Sequence, residues 1–203
     1  MRMRLQAGFL DDAEMQARMD ADPDEMEGMI SATLTYLRGE ADTEPMQLAD
    51  VGALLSAMAD AVADGGQRVT FKGPAHLDLR CHPVALRRAV SNLIGNAVSH
   101  CGAARLSLAA SRAGVVITVD DDGPGIPEAE LERVFEPFHC LDASRSRAMG
   151  GVGLALTIAR QAVAEHGGTL VLSNRAGGSL RAAIDLPASE IDTESHDASA
   201  QPH

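Results

Sequence analysis

The sequence places carboxylates and glycines together at the end of a predicted strand. The stretch "VDDDGPGIPEAELERVFEPF", residues 119–138, follows an apolar, β-branched run and carries Asp121, Gly123 and Gly125. A carboxylate there could accept a hydrogen bond from an exocyclic amine, and the glycines permit close backbone approach of a flat ligand. The same residue types also form turns, so this stretch alone leaves a plain hairpin turn equally open.

Two asparagines mark a second polar position, on a predicted helix. The segment "HPVALRRAVSNLIGNAVSHC", residues 82–101, has a proline near its start and apolar residues at intervals of three and four, which predicts a helix. Asn92 and Asn96 are one turn apart and project from the same face. Asparagine is a poor residue for a helix interior, so the pair favours a ligand site over the alternative, a polar surface face.

A glycine-rich segment is the third candidate. "GGVGLAL", Gly150 to Leu156, begins a predicted helix after a polar stretch, and the free N–H groups at a helix start make an anion site. No GK[ST] follows it, and Leu156 stands where a dinucleotide-binding fingerprint has its third glycine. Taken alone, the segment is a weak signal.

The elements that must position these residues are a mixture of strands and helices. Short apolar or alternating runs predict strands, and longer runs with helical spacing predict helices. Because the two kinds do not alternate strictly, the pattern predicts an α+β fold, a two-layer α/β sandwich, over residues 47–187. The strands are predicted at residues 68–71, 77–79, 104–110, 114–120, 169–173 and 179–186, and the helices at 47–63, 82–101 and 152–165, with a short helix within 119–138.

The chain before this domain has a different periodicity. Apolar residues at helical spacing predict two helices within residues 1–40, of which the second, 14–38, carries a methionine-rich stripe and is interrupted at Pro23. We expect an α-helical hairpin that packs against a second copy in a four-helix bundle, so that the protein is a homodimer. Residues 41–46 form a polar linker, and the acidic tail, 188–203, is expected to be disordered.

Charge and composition limit the partners. The 203 residues carry a formal net charge of −12 and only 2% aromatic residues, which disfavours nucleic acid and anionic membrane surfaces. No apolar run approaches the ~18 residues that a membrane span needs, so a cytoplasmic protein is expected. Cys81, Cys101 and Cys140 include no CxxC pair and are interpreted as buried reduced thiols.

Taken in order, these motifs resemble those of a known family. The sequence resembles the catalytic, ATP-binding domain of sensor histidine kinases, in the superfamily shared with DNA gyrase and mismatch-repair ATPases. "NLIGNAVSH" is similar to the N box, "DDGPGIP" to the first glycine box, "VFEPF" to the F box and "GGVGLAL" to the second glycine box, over about residues 47–187. The hairpin, ending in "YLRGE", resembles the family's dimerisation and phosphoacceptor domain.

The resemblance implies ATP and Mg²⁺ as the bound groups. Asp121 would accept the adenine amino hydrogen, while Gly123 and Gly125 would let the base lie against the backbone. Asn96, helped by Asn92, would ligate the Mg²⁺ that bridges the phosphates. Fold, cofactors and site residues all follow from the same four motifs.

Further residues are implied to contact the nucleotide. A mobile lid is implied over residues 139–150, where arginines suit charge-assisted contacts to phosphate. The second glycine box would present N–H groups to the phosphates, and an imidazole stands where the family packs an aromatic ring beside adenine. These contacts are assigned to His100, Arg145, Arg147, Gly151, Gly153 and Leu154.

The sequence departs from the family pattern at several positions. The family's phosphoacceptor histidine would lie just before Met1, and no histidine precedes His76, so we expect either a truncated start or transfer to a hairpin on another chain. Ser99 stands where a phosphate-contacting cation is usual, and Cys140 where a lid arginine is common. Hydrolysing relatives have a glutamate in place of Asn92. Because an amide cannot act as a general base, transfer to a histidine is favoured over hydrolysis.

Two functions remain open. The first is the ATP-dependent kinase core of a two-component sensor, which passes phosphate to a histidine hairpin and then to a response regulator, and whose parent kinase is anchored in the inner membrane. The second is a catalytically silent nucleotide-binding module that regulates a full-length kinase by dimerising with it. A serine kinase of the anti-sigma type is a third interpretation, weakened by the hairpin, which those proteins lack.

Overall fold

Three helices and two sheets make up the described part of the chain. The structure, a computed structural model, describes residues 44–111, 113–141 and 153–187. The helices are α1 (Val51–Asp64), α2 (Pro83–Cys101) and α3 (Ala155–Ala164). The strands are β1 (Gln47–Asp50), β2 (Arg68–Lys72), β3 (Asp78–Cys81), β4 (Ala103–Ser111), β5 (Gly114–Asp120), β6 (Thr169–Asn174) and β7 (Leu180–Pro187).

The larger sheet is mixed and has five strands. Its order is β2-β4-β5-β7-β6, with β2 parallel to β4 and the other neighbours antiparallel. Strands β1 and β3 form a separate antiparallel pair. The strands predicted at 104–110 and 114–120 are β4 and β5, which pair as an antiparallel hairpin, and the predicted α+β class is confirmed. The pairing brings the ends of β5 and β7 side by side, with Asp120 opposite Arg181.

The helices and the larger sheet form two layers around one core. Alternate residues of β5, Val115, Ile117 and Val119, are buried, as the period of two in a half-buried strand requires. Helix α2 buries a stripe at intervals of three and four that includes Leu86, Val90, Leu93 and Ile94. Each such aliphatic side chain contributes roughly 1.5–3 kcal/mol on burial. The polar residues of α2 are thereby left on the other faces of the helix.

Helix α2 has a defined start and end. Pro83 occupies its first turn, and the carboxylate of Glu44 accepts hydrogen bonds from the backbone N–H groups of Val84 at 2.9 Å and Ala85 at 3.3 Å. Gly102 ends the helix with a φ of 68°, and its N–H donates to the carbonyl of Val98 at 2.7 Å. A left-handed residue at this position is the usual glycine end of a helix. A linker residue distant in sequence therefore caps the helix that carries the two asparagines.

Several element boundaries differ from the sequence predictions, including the start of the helix predicted at 152–165, which is Ala155–Ala164. The helix predicted at 47–63 begins only at Val51, because residues Gln47–Asp50 pair with β3 and the Asp50 carboxylate caps the helix by accepting from Ala53 N at 3.0 Å. The strand predicted at 77–79 is Asp78–Cys81. The short helix predicted after the first glycine box is two 3₁₀ turns, Glu128–Glu130 and Arg133–Phe135.

Other predictions concern residues outside the described ranges. The helical hairpin of residues 1–40 and the tail of residues 188–203 both lie there, so the domain boundaries stay predictions. None of the described helices is both long enough and apolar enough to cross a lipid bilayer.

An ion pair joins β5 to β7 next to the first glycine box. Arg181 donates from Nε and Nη2 to the two oxygens of Asp120, each at 2.7 Å, and Asp120 is almost fully buried. These hydrogen bonds from Arg181 hold the pKa of Asp120 below its ordinary value. The pair stabilises the ionised carboxylate, and with it the pairing of β5 and β7.

We expect Asp120→Asn to lower the free energy of unfolding at about pH 7 by about 1–2 kcal/mol, a modest loss since Arg181 is 40% exposed and solvent screens the pair. A carboxyl with a lowered folded pKa stabilises the protein above its unfolded pKa, near 4, and this contribution is lost as the pH falls through the folded pKa. The difference between the two proteins should therefore shrink progressively as the pH falls below about 4. Urea unfolding from about pH 3 to 7 measures it.

The matched control for this experiment is Asp122→Asn. Asp122 pairs with Arg105 at 2.6 Å, but both side chains are exposed, so its replacement should leave unfolding unchanged. An equal loss in both variants, or a loss that persists at low pH, would contradict the role given to Asp120.

Candidate nucleotide-binding site

A cavity of about 320 Å³ lies between α2, the loop after β5 and the start of α3. It brings together six of the residues predicted from the sequence, on three separate segments. Its remaining walls are mainly apolar, from Pro124, Ile126, Val134, Leu141, Ala155, Leu156 and Leu180, with Cys101, His139 and Cys140. The predicted residues that line it are Asn96, His100, Asp121, Gly123, Gly125 and Gly153.

The other predicted residues do not line the cavity or cannot be placed. Leu154 is buried and is not part of the cavity wall. Asn92 lies on α2 one turn before Asn96 and is also outside the wall. Arg145, Arg147 and Gly151 lie outside the described residues.

Asp121 is held rigidly at the cavity wall by one of its two carboxylate oxygens. Its Oδ1 accepts from the backbone N–H of Gly123 at 2.8 Å and from that of Leu180 at 3.2 Å, and the side chain is almost buried, with the residue 9% exposed. In the described part of the chain, no backbone N–H donates to Oδ2. A carboxylate with one oxygen fixed and the other available suits a ligand that offers an N–H donor.

The two glycines of the loop are required by contacts within the protein. A Cβ on Gly123 would overlap the Sγ of Cys101. Gly125 has a φ of 75°, and a Cβ there would stand 2.5 Å from Oδ1 of Asn174. The resemblance explains these glycines by close approach of the base, and the structure adds a second reason, the approach of α2 and β6 to the loop.

Asn174 clamps the loop to the sheet and was missed by the sequence analysis. Its Oδ1 accepts from Ile126 N at 2.9 Å, and its Nδ2 donates to Ile126 O at 2.6 Å. The residue ends β6, 48 positions from Ile126 along the chain. No spacing in the sequence could have connected it to the loop.

The asparagines of α2 fit the Mg²⁺ that the resemblance implies. Amide oxygens are hard ligands of the kind that Mg²⁺ takes. Asn96 lines the cavity, and the Nδ2 atom of Asn92 is buried without a hydrogen-bond partner among the described residues. Because an amide N–H group is a donor, this atom fits an acceptor such as a phosphate oxygen of a bound group rather than the metal itself.

The cysteines correct one sequence prediction. Cys81 is buried as expected, but Cys101 and Cys140 are only partly buried and both line the cavity. Burial, followed by the charge of Asp121, raises the pKa of the Cys101 thiol to about 11. Cys101 is therefore a neutral, weakly polar part of the wall beside Asp121 at physiological pH.

The F box anchors the far wall of the cavity to α3. Val134 lines the cavity, and Phe135 is buried with the guanidinium of Arg160 placed 4.7 Å from its ring centre. The hydroxyl of Thr157 donates to the Phe135 carbonyl at 2.9 Å. The apolar wall is thereby fixed to the helix whose start closes the cavity.

The chain matches a family model over this region. The model, described as histidine kinase-, DNA gyrase B- and HSP90-like ATPase, covers residues 81–190. The chain belongs to this ATPase family. All four motifs of the cavity and its surroundings lie within the matched residues.

Named relatives of this ATPase domain are sensor histidine kinases. The chain is 38% identical over 187 residues to the sensor histidine kinase GtrS of Pseudomonas aeruginosa. This alignment covers 92% of this chain and 38% of GtrS. It is 48% identical over 107 residues to the sensor-type histidine kinase PrrB of Mycobacterium tuberculosis, covering 52% of this chain and 23% of PrrB. The chain thus spans less than half the length of either relative.

A solved structure agrees with this placement. The crystal structure of the ATP-binding domain of PrrB from Mycobacterium tuberculosis superposes with a TM-score of 0.58 and 34% sequence identity, over 70% of this chain and 96% of that domain. The ATPase-family member described here is therefore a catalytic, ATP-binding domain of the sensor histidine kinase type, as the motifs indicated.

We expect Asn174→Ala to release the glycine-box loop, because both hydrogen bonds to Ile126 are lost. The Ile126 amide should exchange its hydrogen at least about tenfold faster, and the free energy of unfolding should fall by about 1–3 kcal/mol. Hydrogen exchange with residue resolution and urea unfolding measure the two effects.

Two further variants test this clamp. Asn174→Asp keeps the acceptor for the Ile126 N–H but turns a second oxygen, in place of the donor, toward the Ile126 carbonyl, so it should also release the loop. Ser173→Ala, at an exposed neighbour on the same strand, should behave as wild type. Unchanged exchange at Ile126 in Asn174→Ala would show that the clamp is unimportant.

Proposed function

We propose that this chain binds Mg-ATP in the cavity and transfers the γ-phosphate to a histidine of a helical hairpin, as the kinase core of a two-component sensor. The observation that carries the proposal is the fixed carboxylate of Asp121, which leaves one oxygen available at the cavity wall. The exocyclic amine of adenine is a donor that this oxygen can accept. The mainly apolar remainder of the wall suits a flat base.

The remaining polar groups fit the phosphate end of the nucleotide. Asn96, with Asn92, would hold Mg²⁺, which when bound neutralises the charge of the phosphates. The start of α3, next to Gly153, has no side-chain cap and can donate N–H groups to phosphate oxygens. Gly151 and Leu154 stay proposals from the resemblance, and Arg145 and Arg147 stay proposals from the charge-assisted contacts that arginines make with phosphate.

Transfer is favoured over hydrolysis by the chemistry of position 92. Hydrolysis needs a base that takes a proton from water, and the amide of Asn92 cannot accept one. Phosphoryl transfer to a histidine depends instead on positioning and charge neutralisation, which the carboxylate, the amides and the helix start can supply. The chain then acts as a phosphotransferase rather than an ATPase.

The partners follow from this assignment. The phosphoacceptor histidine would come from a hairpin on another chain or in a longer form of the protein, and a response regulator would receive the phosphate. The protein would act in the cytoplasm, in a parent kinase anchored to the inner membrane. Residues 1–38 would form the dimer contact.

The dimer contact gives a direct prediction. Analytical ultracentrifugation of the full chain at tens of micromolar should show a dimer, because the methionine-rich stripe of residues 14–38 needs an apolar partner surface. A monomer over the whole concentration range would remove the homodimer from this proposal.

A silent nucleotide-binding module is the second candidate, and one observation favours it. Among the described residues that line the cavity, none is a lysine or an arginine. Ser99 on α2 and Cys140 at the cavity both replace cations that the family commonly has. Weak nucleotide binding without transfer would fit a domain that regulates a kinase by dimerising with it.

Calorimetric titration of Mg-ATP into the full chain separates these candidates, with Asp121→Asn as the decisive variant. An asparagine can keep its carbonyl oxygen toward Gly123 and Leu180, but it points an NH₂ donor where adenine also donates. We expect ATP binding to weaken at least about tenfold. Transfer of labelled γ-phosphate to an added histidine hairpin then tests the kinase activity.

The control is Asp122→Asn, the adjacent carboxylate, which pairs with Arg105 and does not line the cavity. It should bind ATP as wild type does. Binding that is equally strong in Asp121→Asn would contradict the adenine site. Binding by wild type without any transfer would favour the silent module.

A further inference from the structure

The proposed function requires a negatively charged protein to bind a negatively charged nucleotide. ATP carries three phosphates, and the chain has a formal net charge of −12, so its long-range field repels the ligand. The described cavity residues include no lysine or arginine. Two histidines, His100 and His139, also line that wall, and imidazole is the side chain that serves as a cation in the physiological pH range.

His139 lies at the end of the cavity where helix α3 begins. Its carbonyl oxygen is 2.9 Å from the position that a Cβ on Gly153 would take, and the N–H of Phe138 donates to the Gly153 carbonyl at 3.0 Å. The first turn of α3 follows at Ala155 without a side-chain cap. Since uncapped helix starts attract anions, the phosphates belong at this end and the adenine at Asp121.

A carboxylate holds the imidazole of His139 in place. Nε2 of His139 is 2.8 Å from Oε2 of Glu130, and the two side chains are only 19% and 23% exposed. No described residue makes a hydrogen bond to the other ring nitrogen, Nδ1. A carboxylate on one ring nitrogen fixes the orientation of the imidazole and leaves the other ring nitrogen for a different partner.

The charged groups around His139 determine how its protonation changes the local charge of the cavity. Arg133 donates to the other oxygen of Glu130 at 2.6 Å, so these two neighbours cancel. The hydrogen bond to His139 lowers the pKa of Glu130, which keeps that carboxylate ionised at neutral pH. Beyond Cys140, next in sequence, the other titratable groups on the described wall are Cys101, Asp121 and His100. Protonated His139 therefore gives this end of the cavity a net positive charge.

We propose that His139 contacts the phosphates of the bound nucleotide as an imidazolium oriented by Glu130, and supplies a cation that the lysine- and arginine-free described wall otherwise lacks. The 3₁₀ turn at Glu128–Glu130 thereby acquires a role in nucleotide binding, as the support of the His139 ring. Nucleotide affinity becomes dependent on pH through a group that adenine does not touch.

The test compares ATP with adenosine, which has the base and no phosphates. Wild type and His139→Gln are titrated with Mg-ATP and with adenosine at about pH 6 and about pH 8.5. At the lower pH, wild type should bind ATP about tenfold more tightly than the variant, and at the higher pH within about twofold. Adenosine should bind both proteins equally at both values.

The His139→Gln variant also controls for the titration of ATP itself. The terminal phosphate of ATP titrates in the same pH range, but it does so identically with both proteins, so the ratio of their dissociation constants isolates His139. His139→Arg, a permanent cation, should bind ATP tightly at both pH values. Glu130→Gln should reduce the advantage at the lower pH, because the ring loses its orienting partner.

The matched control is His76→Gln. His76 forms the same kind of pair, 2.6 Å from Asp50, but lies outside the cavity wall, and its variant should match wild type with both ligands. A ratio between wild type and His139→Gln that is the same at both pH values overturns the proposal. So does an adenosine affinity that falls as much as the ATP affinity, which would indicate a structural role.

The role of His139 rests on the proposed nucleotide binding, and the experiment can contradict either of these two claims separately. Wild type that binds neither ATP nor adenosine contradicts the proposed function itself. Wild type that binds both, with a pH dependence that His139→Arg leaves unchanged, contradicts only the role of His139. The comparison of wild type with His139→Arg tests the role of His139 even if His139→Gln fails to fold.

Discussion

The bonds from Gly123 and Leu180 to one oxygen of Asp121 fix the relation between the sheet and the cavity. They tie the end of β5, the loop that follows it and the first residue of β7 to a single atom. The backbone of Asp121 completes the connection by donating to the Leu180 carbonyl at 3.0 Å. On this side of the cavity, Leu180 takes its position from that junction, while Ile126 is held by Asn174. A rigid acceptor of this kind selects among ligands by the direction of their donors.

The residues at the two ends of the cavity differ in their chemistry. One end offers a carboxylate, a neutral thiol and small or apolar residues, and the other offers a helix start and an imidazole–carboxylate pair. Asn96 of α2 also lines the cavity, and Asn92 lies one turn earlier on the same helix. A ligand with a flat base at one end and negative charge at the other matches this polarity. The match agrees with the family to which the chain belongs.

The sequence predicted those parts of the site that local motifs encode. Asn96, Asp121, Gly125 and Gly153 each belong to a short pattern, and the structure brings them to one cavity. Features that depend on distant residues could not be found. Asn174 meets Ile126 across 48 positions, and Leu180 contributes a backbone N–H that any residue would carry. The start of α1 was misplaced for the same reason, since only pairing with β3 reveals residues 47–50 as a strand.

The carboxylate of Glu44 has a structural role about 40 positions away in the sequence, at the start of α2. It closes the N-terminal end of α2, the helix whose middle carries Asn92 and Asn96. Glu44 is thus attached, by hydrogen bonds from two backbone N–H groups, to the start of the helix that bears the amides. Loss of this contact would leave those N–H groups without their acceptor, so the position of Glu44 is coupled to the helix of the site without passing through the sheet.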